Sequence, residues 1–583
     1  MFNPTFKKSE KKLYPVFYIM VMHNSAILHI NDSSQNKSTL NKYKLIYKKQ
    51  PYLLSLRLFF NRLNPFYCLK IYLFRIVKKI RYNYYMKKNI LLITSDQHHF
   101  SCMGYNLPEL KTPNLDRLAK EGMVFDRAYC PNPTCTPSRA SIITGTYPSQ
   151  HGAWSLGTKL PEDVHVVGDD FKKAGYRTAL VGKAHFQPVA QTDEFPSLEC
   201  KEMMADLEFW KSFKDVFYGF RDIDLNREHG NTGAGQQYAI WLIEKGLDNW
   251  RDYFKPAPDT TEGFVWKLPE EYHYNTWITE CANARLEEYK KNDENFFLWV
   301  SHPDPHGPNI GPERWTSMYD PSTITPPVIT EGEHDKNPYH FQITQQVKPD
   351  RSRYVEEGGH DCHGVHSHLN KHNNLSEKIA TYYGRISMMD HYIGQTLDKL
   401  DELGLTENTL VVFTTDHGDF FGQHGLCGKG AFHYEDMIKI PFAARLPGVI
   451  EAGTRTDAMI SLVDLAPTFL DTAEINIPRC MTGKSQLPVL DGSSKSIRDH
   501  IIVENHHQPT TLHLKTYVNE RYKLTVYYNQ TYGELFDLET DPGEINNLWD
   551  DPKSQSLKQD LMLKYIHAEL GKEPMWMPRI ATA

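Results

Sequence analysis

Short apolar runs alternate with segments of helical periodicity through the first two thirds of the chain. Residues 89–95 form an apolar run that predicts a strand covered on both faces. Similar runs lie at 178–182, 296–301 and 409–415. Between the last two, apolar residues at spacings of three and four predict a helix of about 25 residues that ends at Gly404. This alternation predicts a large, mostly parallel central sheet flanked by helices.

The pattern changes near residue 461, where short β-rich runs replace the alternation. These runs lie at 500–504, 517–528 and 534–538, and a helical segment follows at 556–569. We therefore expect an α/β protein with a main unit over 86–460 and a smaller C-terminal α+β subdomain over 461–583, built on an antiparallel sheet.

Two segments of the main unit look like insertions over the sheet, at about 195–290 and 325–375. The first holds five of the ten tryptophans, Trp210, Trp241, Trp250, Trp266 and Trp277. Their rings suit the faces of sugars bound near a pocket mouth, but they suit the insertion's own core equally well. Both interpretations stay open.

The first 85 residues differ from the rest in composition. They are rich in Lys, Asn, Tyr, Phe and Ile, and a weak signal-like segment at 7–22 is interrupted by Pro15 and Tyr18. Met86 leads directly into the first buried run. Our hypothesis is that the protein begins at Met86 and that residues 1–85 are mistranslated or disordered. That start would indicate a cytoplasmic enzyme, whereas a functional upstream segment would indicate the periplasm.

Composition excludes several classes of protein. The net charge is −7 and charged residues make up 23% of the 583 residues, so no nucleic-acid partner is indicated. No apolar run of about 18 residues predicts a membrane span. The nine cysteines are odd in number and lack paired spacing, which argues against a disulfide framework and leaves at least one free thiol.

Polar residues follow four of the predicted strands. Because open α/β sheets bind ligands beyond the carboxyl ends of their strands, we expect one crevice to collect these side chains: Asp96, Lys183, His185, His302, His306, Asp416 and His417. Carboxylates and the amide oxygen of Gln97 are hard donors that suit a divalent cation such as Ca²⁺.

The Cys-x-Pro-x-Arg motif from Cys135 to Arg139 carries the strongest signal. About 0.03 occurrences are expected by chance in a chain of this length. The motif resembles the signature of the sulfatase family, the formylglycine-dependent type I sulfatases of the alkaline phosphatase-like superfamily. The resemblance extends over about residues 88–550 through five further blocks in the same order, TPNLDRLA at 112–119, GTYP at 145–148, GKAH at 182–185, TDHG at 415–418 and ELFDL at 534–538.

This resemblance implies a role for each matching residue. Cys135 would be oxidised to formylglycine by a maturation enzyme, and Arg139 would support the modified residue. The matching metal positions are Asp96, Gln97, Cys135, Asp416 and His417. The positions for sulfate binding and proton transfer are Lys183, His185, His306 and Lys429. Many relatives have Asp at the position of Gln97 and Asn at that of His417, so we expect one Ca²⁺ ion with Mg²⁺ or Mn²⁺ as alternatives.

The expected function is hydrolysis of sulfate esters, in particular those of an oligosaccharide derived from ulvan or a glycosaminoglycan. The alternatives are a phosphonate or phosphate monoester hydrolase, or a choline or aryl sulfatase, since a scaffold does not fix a substrate. A non-catalytic sulfoglycan-binding protein is a third possibility. A His-rich stretch from His360 to His372, including Cys362, His363, His366 and His368, suits either a second metal such as Zn²⁺ or a polar loop over the pocket.

Overall fold

The computed structural model describes residues 87–255, 265–356, 358–508, 510 and 512–582, together with the backbone of four short upstream strands. The chain divides into two compact units, Met1–Met86 and Lys87–Ala583. In the first unit, Tyr18–Met22 pairs with Ser25–His29, and Tyr43–Leu45 pairs with Leu54–Leu56. Most of the upstream segment, including Met86, lies outside the described residues, so the hypothesis about it stays a prediction.

The second unit contains a nine-stranded sheet, and five adjacent strands of that sheet run parallel. From one edge the order is Lys439–Ile440, Met123–Tyr129, Phe442–Arg445, Thr409–Thr415, Asn89–Asp96, Phe296–Pro305, Arg177–Gly182 and Asp222–Leu225, and Thr454–Ser461 pairs with Met123–Tyr129. The parallel strands begin at Thr409–Thr415 and continue to the Asp222–Leu225 edge. The predicted mostly parallel sheet is thereby confirmed.

Helices cover the sheet, and the longest in the described part of the chain is Leu375–Glu402 with 28 residues. It places Ile379, Ile386 and Leu397 in the core and is followed by Gly404 at a φ of 64°. The other α-helices among the described residues are Pro113–Glu121, Cys135–Thr144, Pro148–His151, Val167–Lys173, Lys201–Ala205, Leu207–Ser212, Gln236–Glu244, Tyr274–Lys291, Glu313–Thr316, Tyr339–Thr344, Glu435–Ile438, Leu465–Thr472, Leu487–Leu490 and Gln555–Leu570.

A separate four-stranded antiparallel sheet forms the C-terminal part, in the order Ile501–His506, His513–Val518, Tyr522–Tyr527 and Gly533–Asp537. The predicted run at 517–528 is wrong as one strand. It divides at Asn519, whose side-chain oxygen accepts hydrogen bonds from the backbone N–H groups of Arg521 and Tyr522 and closes a tight turn. A two-stranded antiparallel ladder, Phe420–Phe421 with Cys427–Gly428, follows the strand Thr409–Thr415 in the sequence.

The tryptophans of the first insertion build the protein core. Trp210, Trp250, Trp266 and Trp277 are at most 6% exposed, and Trp241 packs against the same core while its indole N–H donates to Glu280. The suggested role as sugar platforms is therefore wrong for the four buried tryptophans, because their rings present no free face.

Three further sequence-based expectations concern the cysteines, membrane spans and the limit between the two parts of the chain. All eight cysteines among the described residues are unpaired thiols. No described helix combines the length and apolarity that crossing a bilayer requires. The helix Leu465–Thr472 packs into the core of the large sheet, so the limit between main unit and C-terminal subdomain stays a prediction.

Candidate active site at the carboxyl ends of the parallel strands

Three structural elements converge on one buried cluster of side chains. The strand Asn89–Asp96 ends on Asp96, and its parallel neighbour Thr409–Thr415 runs directly into Asp416. The helix Cys135–Thr144 begins at Cys135. Because neighbouring parallel strands end at the same edge of a sheet, the two aspartates come together there.

The donor atoms of Asp96, Cys135, Asp416 and His417 all lie within 4.8 Å of one another, and all four residues are buried. The Cys135 Sγ atom is 3.7 Å from Asp96 Oδ1 and 3.2 Å from His417 Nε2. The Nδ1 atom of His417 lies 2.9 Å from the Gly418 carbonyl oxygen. A proton on Nδ1 satisfies that carbonyl and leaves the Nε2 lone pair directed at the cluster.

Gln97 follows Asp96 in a left-handed backbone conformation, with a φ of 58°. Its side-chain N–H donates to Asp419 Oδ1 at 2.9 Å, and its backbone N–H donates to Asp416 Oδ1 at 3.0 Å. The amide oxygen Oε1 is buried without a hydrogen-bond partner within the described part of the chain. A left-handed non-glycine residue and an unpaired buried oxygen beside two carboxylates fit a divalent cation that takes oxygen ligands.

Arg139 forms ion pairs with the carboxylates of Asp96 and Asp416. Its side chain is fully buried and donates to Asp416 Oδ2 at 2.8 Å and to Asp96 Oδ2 at 2.9 Å. Two further bonds reach the Lys183 carbonyl at 2.9 Å and the Ser301 hydroxyl at 2.8 Å. Burial alone would raise the pKa of Asp96, but Lys183 at 2.6 Å and Arg139 hold that pKa well below its ordinary value.

Lys429, which directly follows the strand Cys427–Gly428, contacts the Cys135 thiol. Its Nζ atom lies 2.8 Å from Cys135 Sγ, 3.0 Å from His306 Nε2 and 3.3 Å from His417 Nε2. Burial and the Asp96 carboxylate would raise the pKa of the Cys135 thiol, yet Lys429 and Lys183 outweigh them and lower it. The ammonium groups therefore favour negative charge at position 135.

Two histidines flank the cluster as neutral rings. His306 Nδ1 lies 2.6 Å from the Gly307 carbonyl oxygen, so its Nε2 can accept from Lys429. Burial and then His229 lower the pKa of His306. His185 has a φ of 60°, and burial and then Arg227 lower its pKa. Glu199 fixes the His185 turn by accepting three backbone N–H groups at 2.7 to 2.8 Å.

Sequence reasoning missed three residues at this site. Arg227 donates to His185 Nε2 at 2.8 Å, and His229 stacks on His306 with ring centroids 3.8 Å apart. Both follow the short polar strand Asp222–Leu225, which has no apolar run to reveal it. Arg385 donates to the Pro305 and His306 carbonyls at 2.9 and 2.7 Å. Its position on the buried face of the long helix was the one available signal.

The other candidate residues lie elsewhere. His302 is buried and contacts Asn275 Oδ1 at 2.9 Å, and no described contact joins it to the cluster. In the His-rich stretch, the His366 ring contacts that of His368 at a tilt of 51°, and His368 Nδ1 accepts the Cys427 backbone N–H. The loop histidines do not gather around Cys362, so the proposed all-loop metal site is wrong. His363 is exposed to solvent.

Comparison with known proteins finds similarity to sulfatases over most of the chain. A model of the sulfatase family matches residues 88–475, more than half of the chain. A model described as the C-terminal part of N-sulphoglucosamine sulphohydrolase matches residues 422–570. An arylsulfatase from Clostridium perfringens is 30% identical over 504 residues, which cover 84% of this chain and 95% of that protein.

Two further relatives extend the comparison. An N-acetylglucosamine-6-O-sulfatase from Bacteroides thetaiotaomicron is 26% identical, over 82% of this chain and 85% of its own length. The solved phosphonate monoester hydrolase from Silicibacter pomeroyi superposes with a TM-score of 0.68 at 22% identity, over 84% of this chain and 96% of its own, and supports the fold alone. The chain therefore belongs to the sulfatase family and is a sulfuric ester hydrolase.

Proposed function

We propose that the protein hydrolyses sulfate esters of a carbohydrate, using a formylglycine made from Cys135 and one bound Ca²⁺ ion. The observation that carries the proposal is the position of Cys135 Sγ, which lies 2.8 Å from Lys429 Nζ and 3.2 Å from His417 Nε2 beside two buried carboxylates. That sulfur stands where an oxygen of the modified residue would act. Lysines and a cation site around one nucleophile suit a doubly charged, oxygen-rich transition state.

The cation would be held by Asp96, Gln97, Asp416 and His417, with the modified residue 135 as a further ligand. When bound, it would supply Lewis-acid stabilisation of negative charge on oxygen. Oxygen donors favour Ca²⁺, and the His417 nitrogen and the neutral Gln97 amide keep Mg²⁺ and Mn²⁺ as alternatives. Arg139 pairs with both carboxylates and orients them toward that place.

Two lysines would bind the sulfuryl group. Lys183 and Lys429 are buried and both lie beside the Cys135–Asp96 pair, so their ammonium groups would gather the charge of the sulfuryl oxygens. Oxidation of position 135 to an aldehyde would supply, after hydration, one hydroxyl for in-line attack on sulfur and a second whose deprotonation releases sulfate. A serine ester has no such second hydroxyl.

Proton transfer is assigned to the flanking histidines and Lys429. The alcohol leaving group needs a proton, and the Lys429–His306 pair is connected at 3.0 Å next to the nucleophile. His185 would accept the proton of the second hydroxyl. Burial and then Arg227 lower the pKa of His185 and keep the ring neutral; because Arg227 donates to its Nε2, that nitrogen would have to leave Arg227 before it accepts the proton.

A sulfated sugar is the substrate class we favour. One relative is named for action on N-acetylglucosamine 6-O-sulfate, and the C-terminal match is to a family named for N-sulphoglucosamine. The buried tryptophans no longer support aromatic stacking, but Arg227 and His229 bring polar groups of the insertion next to His185 and His306. Those groups suit a hydroxyl-rich or acidic sugar better than an aryl group.

A comparison of substrates tests this function. Protein produced together with a formylglycine-generating enzyme would be assayed on an aryl sulfate, an aryl phosphate, an aryl phosphonate and defined sulfated oligosaccharides. We expect kcat/KM to be highest for a sulfated oligosaccharide and to disappear in Cys135→Ala. Higher kcat/KM on the phosphate or phosphonate would favour the monoester hydrolase instead. Sulfoglycan binding by both proteins, without turnover by the matured one, would favour a binding protein.

A further inference from the structure

A second group of metal-type donors lies outside the catalytic cluster. A carboxylate oxygen of Glu356, the Cys362 Sγ atom and a ring nitrogen of His507 all lie within 4.8 Å of one another. Cys362 and His507 are 1% and 2% exposed, and Glu356 is partly buried. None of the three belongs to the set that surrounds Cys135.

Backbone hydrogen bonds fix the positions of these donors. Residues 354–356 pair with residues 358–362 as a hairpin, with hydrogen bonds from the Cys362 N–H to the Tyr354 carbonyl at 2.8 Å and from the Glu356 N–H to the His360 carbonyl at 2.6 Å. His507 follows the strand Ile501–His506, and its N–H donates to the Leu512 carbonyl at 3.0 Å. The cluster thus joins two segments that are distant in sequence.

The polar groups of the cluster are incompletely paired by the protein. The Nδ1 atom of His507 hydrogen-bonds to Glu356 Oε1, and its buried Nε2 finds no partner among the residues that the structure describes. The Thr510 hydroxyl lies 3.5 Å from Cys362 Sγ. A buried polar group without a partner calls for an explanation, and a bound ion is one such explanation.

We propose that Glu356, Cys362 and His507 bind a zinc-type divalent metal ion, with the Thr510 hydroxyl or water in the fourth position. A thiolate and an imidazole favour zinc over Ca²⁺, and a carboxylate plus a thiolate balance its double charge. On binding, the Cys362 S–H bond breaks, the S–metal bond forms and one proton is released to solvent.

The site would hold the hairpin against the C-terminal sheet and next to the catalytic lysine. Two residues beyond Cys362, the backbone of Gly364 packs on Lys429, because a Cβ atom on Gly364 would meet the Lys429 carbonyl oxygen at 2.4 Å. Metal binding at Cys362 therefore stabilises a segment that supports Lys429. This role does not depend on which ester the protein hydrolyses.

Cobalt titration of the Cys135→Ala protein tests the proposal. That background removes the thiol of the catalytic cluster, so a thiolate-to-cobalt charge-transfer band can arise only from another cysteine. We expect one equivalent of Co²⁺ to produce the band, and Zn²⁺ to abolish it by displacement. The band should be absent in Cys135→Ala/Cys362→Ser and retained in the matched Cys135→Ala/Cys480→Ser, which changes a buried free cysteine outside both groups.

The other two ligands give an independent check if the Cys362 variant folds poorly. His507→Gln and Glu356→Gln, each in the Cys135→Ala background, should weaken Co²⁺ binding at least tenfold. Zn²⁺ should raise the melting temperature of the parent and not of these variants. No band in the parent, a band that survives Cys362→Ser, or unchanged affinity in both ligand variants would overturn the proposal.

Discussion

Replacement of Arg139 by lysine should damage both stability and activity, although the positive charge is kept. The guanidinium makes four hydrogen bonds of 2.8 to 2.9 Å, two of them to the carboxylates of Asp96 and Asp416. A lysine ammonium has no planar fork and can serve only one of these carboxylates at a time. At least one bond to a carboxylate and the two bonds to uncharged acceptors are lost.

The magnitude follows from those losses. A hydrogen bond to a charged group contributes about 1.5–3 kcal/mol and a neutral one about 0.5–1.5 kcal/mol. We expect Arg139→Lys to lower the free energy of unfolding by about 3–5 kcal/mol, within the range for breaking a buried ion pair. Displacement of Asp96 or Asp416 by about 1 Å should lower kcat/KM by about 10²-fold.

Urea unfolding and kcat/KM on an aryl sulfate would be measured with excess Ca²⁺ and with chelator. Arg445→Lys is the matched control, because Arg445 is equally buried but pairs with one half-exposed carboxylate, that of Glu121, away from the site. The control should retain activity and lose less stability. If Arg139→Lys were as stable and as active as Arg445→Lys, our account of the carboxylate support would be refuted.

Three further predictions concern proton transfer, the metal and pH. His306→Gln should lower kcat by about 10²- to 10⁴-fold, most for poor leaving groups, whereas the buried off-site His302→Gln should not; rates over a series of aryl sulfates test this. Chelation should lower the melting temperature of the matured protein, and readdition of Ca²⁺ should restore it; no response of the melting temperature would contradict the metal assignment. Burial would raise the pKa of Glu504, but Lys572 and Lys515 lower it from 4.5 to about 2, so its stabilisation is present above pH 4.5 and is lost as pH falls through 2. Glu504→Gln should therefore destabilise the protein by about 3 kcal/mol at pH 7 and by progressively less below pH 4.5, measured by chemical unfolding; an effect independent of pH would count against that charge pair.

The strands that build the site were predictable because they are buried on both faces. The segment 409–415 was predicted with the bounds that the structure has, since central parallel strands read as continuous apolar runs. The turn at Asn519 was missed because the segments on both sides of it are rich in β-forming residues. A single side chain, that of Asn519, closes the turn between them.

Site residues at the ends of the apolar central strands were predictable from the sequence, whereas those that lie within the first insertion were not. Asp96 and Asp416 meet as the parallel topology requires. Arg227 and His229 reach the site through a partly buried polar strand, which carries no periodic signal. The suggested sugar-binding role of the tryptophans was wrong for four of them because those rings are buried. Composition alone does not reveal which residues of an insertion are covered by the rest of the protein.

Our central claim is that position 135 acts as a formylglycine. Mass spectrometry of the peptide that contains residue 135, in protein of measured specific activity, tests it most directly. We predict a mass about 18 Da below that of the cysteine form, and a specific activity that rises in proportion to the modified fraction. Full activity in a preparation whose residue 135 is entirely unmodified thiol would contradict the claim.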